Sequence, residues 1–323
     1  MERNRDVSFD ILKGIGILSV IIGHNISFDS PIRLFIYSFH MPLFFLCAGY
    51  FQKNISPCTQ IKKDFKRLVF PYLGVSVVLL LSSLLLWIHN SDYPIVTNTV
   101  LPLIWGAGGP HNEVLYFYQI LPLTQLWFLL ALFWGKTVSN LLPRNLGGVF
   151  LGLLLSVVAT IIGRYIVFLP TDVNEGISAV IFIMVGVYIR DHGLNMLTFA
   201  IMIAAWIFSF SNYDLALSIC EFDNYPIQIL GAVGGTYVFL NLSKVLAKVH
   251  MFSRFLSWLG VNSMAILCMH TIESHTFLWS IIPLPSYYCL SIICKLGFCV
   301  VATLMLSQWD FTNRLFGIKA YKI

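Results

Sequence analysis

Long apolar runs dominate this chain, and they leave little polar surface to face water. A membrane-spanning helix needs roughly 20 mostly apolar residues to cross about 30 Å of hydrocarbon. Ten stretches approach that length, near 11–28, 34–52, 68–88, 123–142, 148–169, 174–190, 195–212, 226–246, 255–273 and 286–307. We therefore predict an all-α, polytopic membrane helix bundle with about ten transmembrane helices, forming a single membrane-embedded domain over residues 1–323.

Composition narrows the function classes in the same direction. The mean hydropathy is +0.80 and only 11% of residues are charged, whereas soluble domains carry about 25%. This excludes a soluble enzyme, a disordered chain and a nucleic-acid-binding protein, despite the net charge of +5. The seven cysteines form no C-x-x-C pair and no Cys/His spacing typical of a metal site, so we predict no metal.

Basic residues predict the orientation, because Lys and Arg stay on the cytoplasmic side during insertion. With the N-terminus inside, 15 of the 20 Lys and Arg fall in inner segments, and only Arg33 falls in an outer loop. Both termini are therefore expected to be cytoplasmic. The longest outer segment, 89–122, contains no Lys or Arg. Its Gly- and Pro-rich part, 106–112, predicts irregular structure, either a functional lid or a plain connector.

Two ionisable residues share the first predicted span. Lys13 and His24 are 11 residues apart, about three helical turns, so they project from one face roughly 16 Å apart along the axis. Asp10 precedes Lys13 by three residues and could pair with it. Charges at membrane depth are costly, which makes each a candidate site residue. The alternatives are an interfacial lysine that reaches the cytoplasm and a structural histidine.

Two further histidines are expected at the depth of His24. His40 lies about six residues from the outer start of the second predicted span, and His270 lies about 15 residues into the ninth. At 1.5 Å per residue both reach the outer half of the membrane. Three imidazoles at one level predict a shared polar cavity, and histidine is suited to moving protons near neutral pH. Pro42 predicts a kink beside it.

A dense basic cluster at 62–67 lies beside the membrane in the predicted inner loop before the third span. Such a cluster can hold phosphates through charge-assisted hydrogen bonds. The alternative is that topology and anionic lipids alone account for the positive charge.

These segments together resemble the acyltransferase 3 family of membrane acyltransferases, and most closely its branch of fucose 4-O-acetylase-like proteins. The family pattern of a basic residue, ten residues and a histidine matches Lys13 and His24, although Lys replaces the usual Arg and loses bidentate phosphate geometry. Further similar segments are 9–18, 39–45 with Gly49-Tyr50, 66–72, 126–129, and 259–264 leading to His270.

The resemblance implies transfer of an acetyl group from cytoplasmic acetyl-CoA, the donor substrate, to a hydroxyl of a cell-surface or lipid-linked glycan on the outer side. It also implies the bacterial inner (plasma) membrane as the location. Membrane lipids would be further partners, nucleic acid would not, and a homo-oligomer stays open. The site residues implied are the catalytic His24, His40 and His270, the donor-binding Lys13, Lys66 and Arg67, and the substrate-binding Trp127 and Asn262.

In the mechanism that we favour from sequence, His24 is the general base on the acceptor hydroxyl, since imidazole is matched to that task near neutral pH. Asn262, His40 or His270 would stabilise charge on the thioester oxygen. Direct transfer and an acyl-enzyme on Ser19 or Cys268 both stay open. The rival function is a proton-coupled exporter of a small acid or sugar, although the chain has no apparent internal repeat of the kind transporters often show.

Overall fold

The computed structural model describes residues 6–27, 30–106, 108–109, 125–276 and 288–319. Within these ranges the chain is nearly all helical. The helices are α1 (Val7–Gly23), α2 (Pro31–Tyr37), α3 (His40–Tyr50), α4 (Pro57–Asp64), α5 (Phe70–His89), α6 (Leu101–Trp105), α7 (Trp127–Ser139), α8 (Leu146–Tyr165), α9 (Val173–Ser178), α10 (Val180–His192), α11 (Met196–Asn212), α12 (Tyr225–Leu246), α13 (His250–Val261), α14 (Ser263–His275), α15 (Tyr288–Leu306) and α16 (Asp310–Phe316).

The described helices do not confirm the predicted count of ten spans. Among the described residues, five helices are long and apolar enough to cross a membrane, and up to seven if each bent pair counts as one span. The bent pairs are α9 with α10, at 46°, and α13 with α14, at 70°. Helices α1 and α11 have 17 residues each and α7 has 13, which is short for 30 Å of hydrocarbon. The membrane bundle is confirmed, but the count of ten is not.

Helix α1 runs through the centre of the bundle and packs against α3, α12, α13 and α14. Glycines make its crossing with α13 possible. A Cβ on Gly14 would lie 2.1 Å from the carbonyl oxygen of Leu256, and a Cβ on Gly260 would lie 1.7 Å from that of Asp10. These two glycines therefore bring the backbones of α1 and α13 into contact.

The second predicted span is interrupted where Pro42 predicts a kink. Helices α2 and α3 are separated by Ser38 and Phe39. Directly after the proline, the backbone N–H of Leu43 donates to the carbonyl oxygen of Phe39 at 2.9 Å. A hydrogen bond from a neighbouring helix stabilises the break: Trp206 Nε1 of α11 donates to Ser38 Oγ at 2.8 Å. After the break, α3 begins at His40, whose side chain is buried.

Three other segments differ from their predicted form. Helix α1 ends at Gly23, so His24 caps the helix instead of lying inside a longer span. The basic cluster 62–67 is helical: α4 continues through a π-helical turn, Phe65–Val69, into α5. The connection between α11 and α12 holds a two-stranded antiparallel hairpin, β1 (Leu215–Ala216) and β2 (Glu221–Phe222), which qualifies the all-α prediction. Most of 106–112 lies outside the described residues.

Two ends of the bundle can now be distinguished. We call the end of α1 that carries Lys13 the basic end, and the end that carries His24 the far end. By the bias of Lys and Arg, the basic end is the predicted cytoplasmic side. The far end includes the β1–β2 hairpin, which the ion pair between Arg33 of α2 and Asp214, at 3.3 Å, ties to the bundle.

Candidate active site

The three predicted histidines meet at one level of the bundle. The ring centroids of His24 and His270 are 5.9 Å apart. Tyr37 links His24 to His40, with its ring 6.4 Å from the first and 4.8 Å from the second. His24 is half-buried, whereas His40 and His270 are buried. The three imidazoles are thus close together, but only His24 and His40 line a common cavity, and His270 is buried beside it.

His270 is one half of a histidine–carboxylate pair inside α14. Its Nδ1 lies 2.7 Å from Glu273 Oε1, and both side chains are fully buried. Gln125 Nε2 lies 3.3 Å from the other ring nitrogen, Nε2. An amide nitrogen can only donate, so Nε2 accepts and the proton is on Nδ1, facing the carboxylate. Ser274 Oγ donates to the same carboxylate oxygen at 3.0 Å. These contacts hold the imidazole in one tautomer and one orientation.

His40 is held in a similar way by the backbone. Its Nδ1 lies 2.9 Å from the carbonyl oxygen of Ile36, one turn earlier in the chain. A carbonyl only accepts, so Nδ1 carries the proton and Nε2 is the nitrogen that is left for a ligand. Among the described residues, no side-chain hydrogen bond fixes His24 in this way. It is the least fixed of the three imidazoles.

A cavity of about 170 Å³ opens beside the histidines at the far end. His24 and His40 line it together with Tyr37, Trp127 and the 215–219 segment of the hairpin. Arg33 lies over the ring of Tyr37, with Cζ 4.0 Å from the centroid. The predicted substrate residue Trp127 therefore does lie beside two histidines, and aromatic walls with a few polar groups are typical of small-molecule sites.

A second cavity, of about 180 Å³, opens at the basic end. No acidic side chain is among its described lining residues. Its cations come from α1, from α4 and the π-helical turn after it, from α7 and from the loop between α3 and α4; they are Lys13, Lys53, Lys63, Arg67 and Lys136. Deeper in, the wall is apolar, with Ile17 and Val20 of α1 and Leu267 of α14. The cavity thus combines a positively charged mouth with an apolar interior.

Two buried carboxylates compensate part of this charge. Asp64, fully buried, accepts from Lys136 Nζ at 2.5 Å and from Gln60 Nε2. Asp10 accepts from Lys13 Nζ at 2.9 Å, as the three-residue spacing predicts. No carboxylate of a described residue lies within 4.0 Å of Lys63 or Arg67. These two cations remain available for an anionic ligand.

The two cavities meet at the histidine level. Of the described residues, Met41 alone lines both. The deep wall of the basic cavity ends one helical turn short of two histidines, because Val20 precedes His24 by four residues and Leu267 precedes His270 by three. A group carried into the basic cavity would therefore arrive next to groups that face the far cavity.

Two predicted site residues lie elsewhere. Lys66 is exposed and lines neither cavity, although its neighbours Lys63 and Arg67 both do. Asn262 is buried at the break between α13 and α14, where its Oδ1 accepts from the backbone N–H of Lys319 at 3.0 Å. Its Nδ2 donates to the carbonyl of Trp258 at 3.1 Å. Asn262 therefore holds a bend and anchors the C-terminal segment.

Sequence reasoning missed Glu273, Gln125 and Lys136 as parts of the site, and from the cluster 62–67 it selected Lys66 and Arg67 but not Lys63. Glu273 had a signal, since a carboxylate three residues after His270 shares its helix face. Lys136 is a single charge within the predicted span near 123–142. Its partner Asp64 is 72 residues away in sequence, a contact that spacing cannot reveal.

Comparison with known proteins shows the family to which the chain belongs. A family model described as "Acyltransferase domain", that of acyltransferase 3, matches residues 6–304. The Nodulation protein NolL of Sinorhizobium fredii is 36% identical over 151 residues, 44% of this chain and 36% of that protein. NolL of Mesorhizobium japonicum is 38% identical over 94 residues, 26% of this chain and 23% of that protein.

These alignments thus span about a third or less of the length of either relative. No solved structure matches the chain. The family model, in contrast, extends over nearly the whole sequence, from the start of α1 almost to the end of α15. The chain therefore belongs to the acyltransferase 3 family.

Proposed function

We propose that this protein is a membrane O-acetyltransferase, which takes an acetyl group from acetyl-CoA at the basic end and delivers it to a sugar hydroxyl at the far end. One observation carries the proposal. Two cavities of different character, one cationic and one lined by histidines and aromatic rings, approach each other at Met41. Membership of the acyltransferase 3 family supplies the reaction class.

The basic cavity suits the shape and charge of a CoA thioester. Lys63 and Arg67 at its mouth match phosphate groups, and Arg can bind phosphate in bidentate geometry. Lys13 and His24 are roughly 16 Å apart along α1. The pantetheine arm has twelve bonds between its phosphate ester oxygen and its sulfur, the length of about four extended residues, or roughly 14 Å. Phosphates held near Lys13 would bring the thioester close to the histidines.

His24 is then the general base. The acceptor hydroxyl loses its proton to His24 as its oxygen attacks the thioester carbon, and the carbon–sulfur bond breaks, so that CoA leaves as a thiolate that takes up a proton. His24 faces the far cavity, where an acceptor would bind. His40, with Nε2 available, serves as the second polar contact there. Ser19 and Cys268 line neither cavity, which favours direct transfer over an acyl-enzyme on either residue.

His270 and Glu273 support His24 from the buried side of the site. His270 is fully buried and its Nε2 already accepts from Gln125, so it does not face an acceptor itself. The carboxylate of Glu273 stabilises positive charge that develops on the histidines when His24 takes the proton. Glu273 is thus a positioning residue. The acceptor, by the family resemblance, is a cell-surface or lipid-linked glycan outside the bacterial plasma membrane.

The decisive experiment is binding of acetyl-CoA to the purified full-length protein, measured by calorimetry. Arg67→Ala and Lys63→Ala should each raise the Kd by about ten- to more than a hundredfold, because a charge-assisted contact is worth about 1.5–3 kcal/mol. Lys66→Ala is the matched control, an equally basic neighbour outside the cavity, and should change the Kd less than about threefold.

A wild-type protein that binds no acetyl-CoA would overturn the proposal and would favour the exporter. Equal losses in all three variants would indicate attraction by general surface charge, not a site. An acceptor assay with radiolabelled acetyl-CoA and membrane glycans then tests transfer separately from donor binding.

A further inference from the structure

A groove of about 760 Å³ lies at the basic end, away from both cavities. One wall is α13, and the other is the end of α15 with the C-terminal segment that follows α16. None of its lining residues lines either of the two cavities. The proposed transfer reaction makes no use of it.

The groove has a cationic edge and apolar walls. His250 and Arg254 are four residues apart and therefore lie on one face of α13, and Lys319 approaches from the opposite side. The walls are apolar: Met251, Phe255, Trp258, Val300, Leu304 and Ile318. No carboxylate of a described residue lies within 4.0 Å of any of the three basic side chains. Their charges are uncompensated within the part of the chain that the structure describes.

The position of the groove matches the edge of a membrane. Helix α13 crosses α1 at the level of Asp10 and Gly14, near the basic end, and bends by 70° into α14. It is amphipathic, with Met251, Phe252 and Phe255 exposed alongside His250 and Arg254. Such a helix typically lies in the interface, with its apolar face among acyl chains and its basic face at the headgroups.

The basic edge is also held in place. The backbone N–H of Lys319 donates to Asn262 Oδ1 at 3.0 Å, which fixes the C-terminal segment against the break between α13 and α14. Phe316 and Ile318 on either side of Gly317 are buried. Lys319 therefore faces the groove from an ordered segment.

We infer that this groove binds an anionic phospholipid of the surrounding leaflet, with the phosphate between Arg254 and Lys319 and one acyl chain along Phe255, Trp258 and Leu304. Basic pockets between helices at a membrane surface take such headgroups. The apolar walls distinguish the site from simple surface attraction, because an acyl chain buries area that a free phosphate or a CoA molecule would not. This inference does not depend on the acetyl-transfer proposal.

The test compares phosphatidylglycerol with phosphatidylcholine on full-length protein in detergent, by native mass spectrometry with lipid titration. We expect phosphatidylglycerol to bind at least tenfold more tightly. The double variant Arg254→Gln/Lys319→Gln should lose that preference. Lys244→Gln/Lys248→Gln is the matched control, since it removes two exposed cations just before α13 that do not line the groove, and it should retain the preference.

A third variant separates a groove from a charged surface. Leu304→Trp fills the apolar wall, leaves every charge in place and alters a side chain that is already 47% exposed, so it should expel the lipid without unfolding the helix. Unchanged lipid binding in Leu304→Trp, or equal losses in the two double variants, would overturn the inference. Concentration-dependent dimerisation that disappears in Leu304→Trp would instead identify a second copy of the chain as the occupant.

Discussion

Glu273 gives the sharpest test of the candidate site, because it touches neither cavity and acts only through charge. Its carboxylate lies 2.7 Å from His270 Nδ1, and the rings of His270 and His24 are 5.9 Å apart. At a carboxylate-to-His24 distance of roughly 9 Å and an effective dielectric constant of about 20, the attraction to protonated His24 is about 1.8 kcal/mol. Glu273→Gln removes it, which corresponds to roughly a twentyfold lower rate.

The loss should appear in kcat and not in the KM for acetyl-CoA, because Glu273 is distant from the basic cavity and its charge matters only when His24 becomes protonated. Single-turnover transfer from radiolabelled acetyl-CoA in proteoliposomes measures kcat, and equilibrium binding checks the donor site. Glu273→Ala should cost more, since it also frees the His270 ring to change tautomer and orientation.

The matched control is Glu221→Gln. It makes the same chemical change in an ion pair with Arg164 in which both side chains are more than a third exposed, where a pair is worth about 0–1 kcal/mol. Its kcat should stay within about threefold of wild type. If Glu273→Gln also stays within threefold, with correct insertion and normal donor binding, then the pair with His270 is structural and the electrostatic reasoning fails.

Three further predictions concern topology, chemistry and packing. In a chain with Cys58, Cys289 and Cys294 replaced by Ser, a cysteine at Ser218 should react with an impermeant thiol reagent from outside intact cells and one at Lys63 should not; labelling of both from one side would contradict the orientation. His24→Gln keeps hydrogen bonding but cannot take a proton near neutral pH, so turnover should fall about 10²–10⁴-fold with acetyl-CoA binding intact; substantial residual transfer would move the base to His40 or His270. Gly260→Ala places a Cβ 1.7 Å from the Asp10 carbonyl oxygen and should lower the Tm by several degrees or prevent insertion, whereas Gly297→Ala, with nothing within 4 Å of its Cβ, should not; equal melting temperatures in detergent would refute the close crossing of α1 and α13.

The spacing of residues along single helices was enough to predict several contacts and positions in the candidate site. Lys13 pairs with Asp10 because the two are three residues apart on a regular helix, and helical rise alone placed His24 and His270 at one level, with ring centroids 5.9 Å apart. Both inferences need only the geometry of an uninterrupted helix. The prediction for His24 failed in one respect, its position inside the span, because Ile26 and Phe28 extend the apolar stretch in the sequence although the helix ends at Gly23.

The sequence could not predict how the basic helix is rotated about its axis, or which residues far apart in the chain contact each other. Four-residue spacing pairs Lys62 with Lys66 and Lys63 with Arg67 on adjacent strips of one helix side, but it does not tell which pair faces the bundle. The π-helical turn at Phe65–Val69 also alters the phase that α-helical spacing would give. Lys63 and Arg67 face the cavity and Lys66 does not. The role of Asn262 depends on Lys319, 57 residues away. The predicted count of ten spans stays a prediction, and the bends at the breaks in α9–α10 and α13–α14 are invisible to a hydropathy average.

Met41, the one described residue that lines both cavities, bears on the electrical potential across the membrane as well as on the proposed reaction. A bacterial plasma membrane holds an electrical potential, and a proton that crosses it releases about 2.3 kcal/mol per 100 mV. Two water-accessible pockets joined end to end would form a leak for that gradient. Met41 stands where they meet, and its unbranched, polarizable thioether can fill an irregular gap and move aside within it. In the proposed reaction Met41 would therefore act as electrical insulation, because the acetyl group would pass this one side chain while ions on either side would be held back.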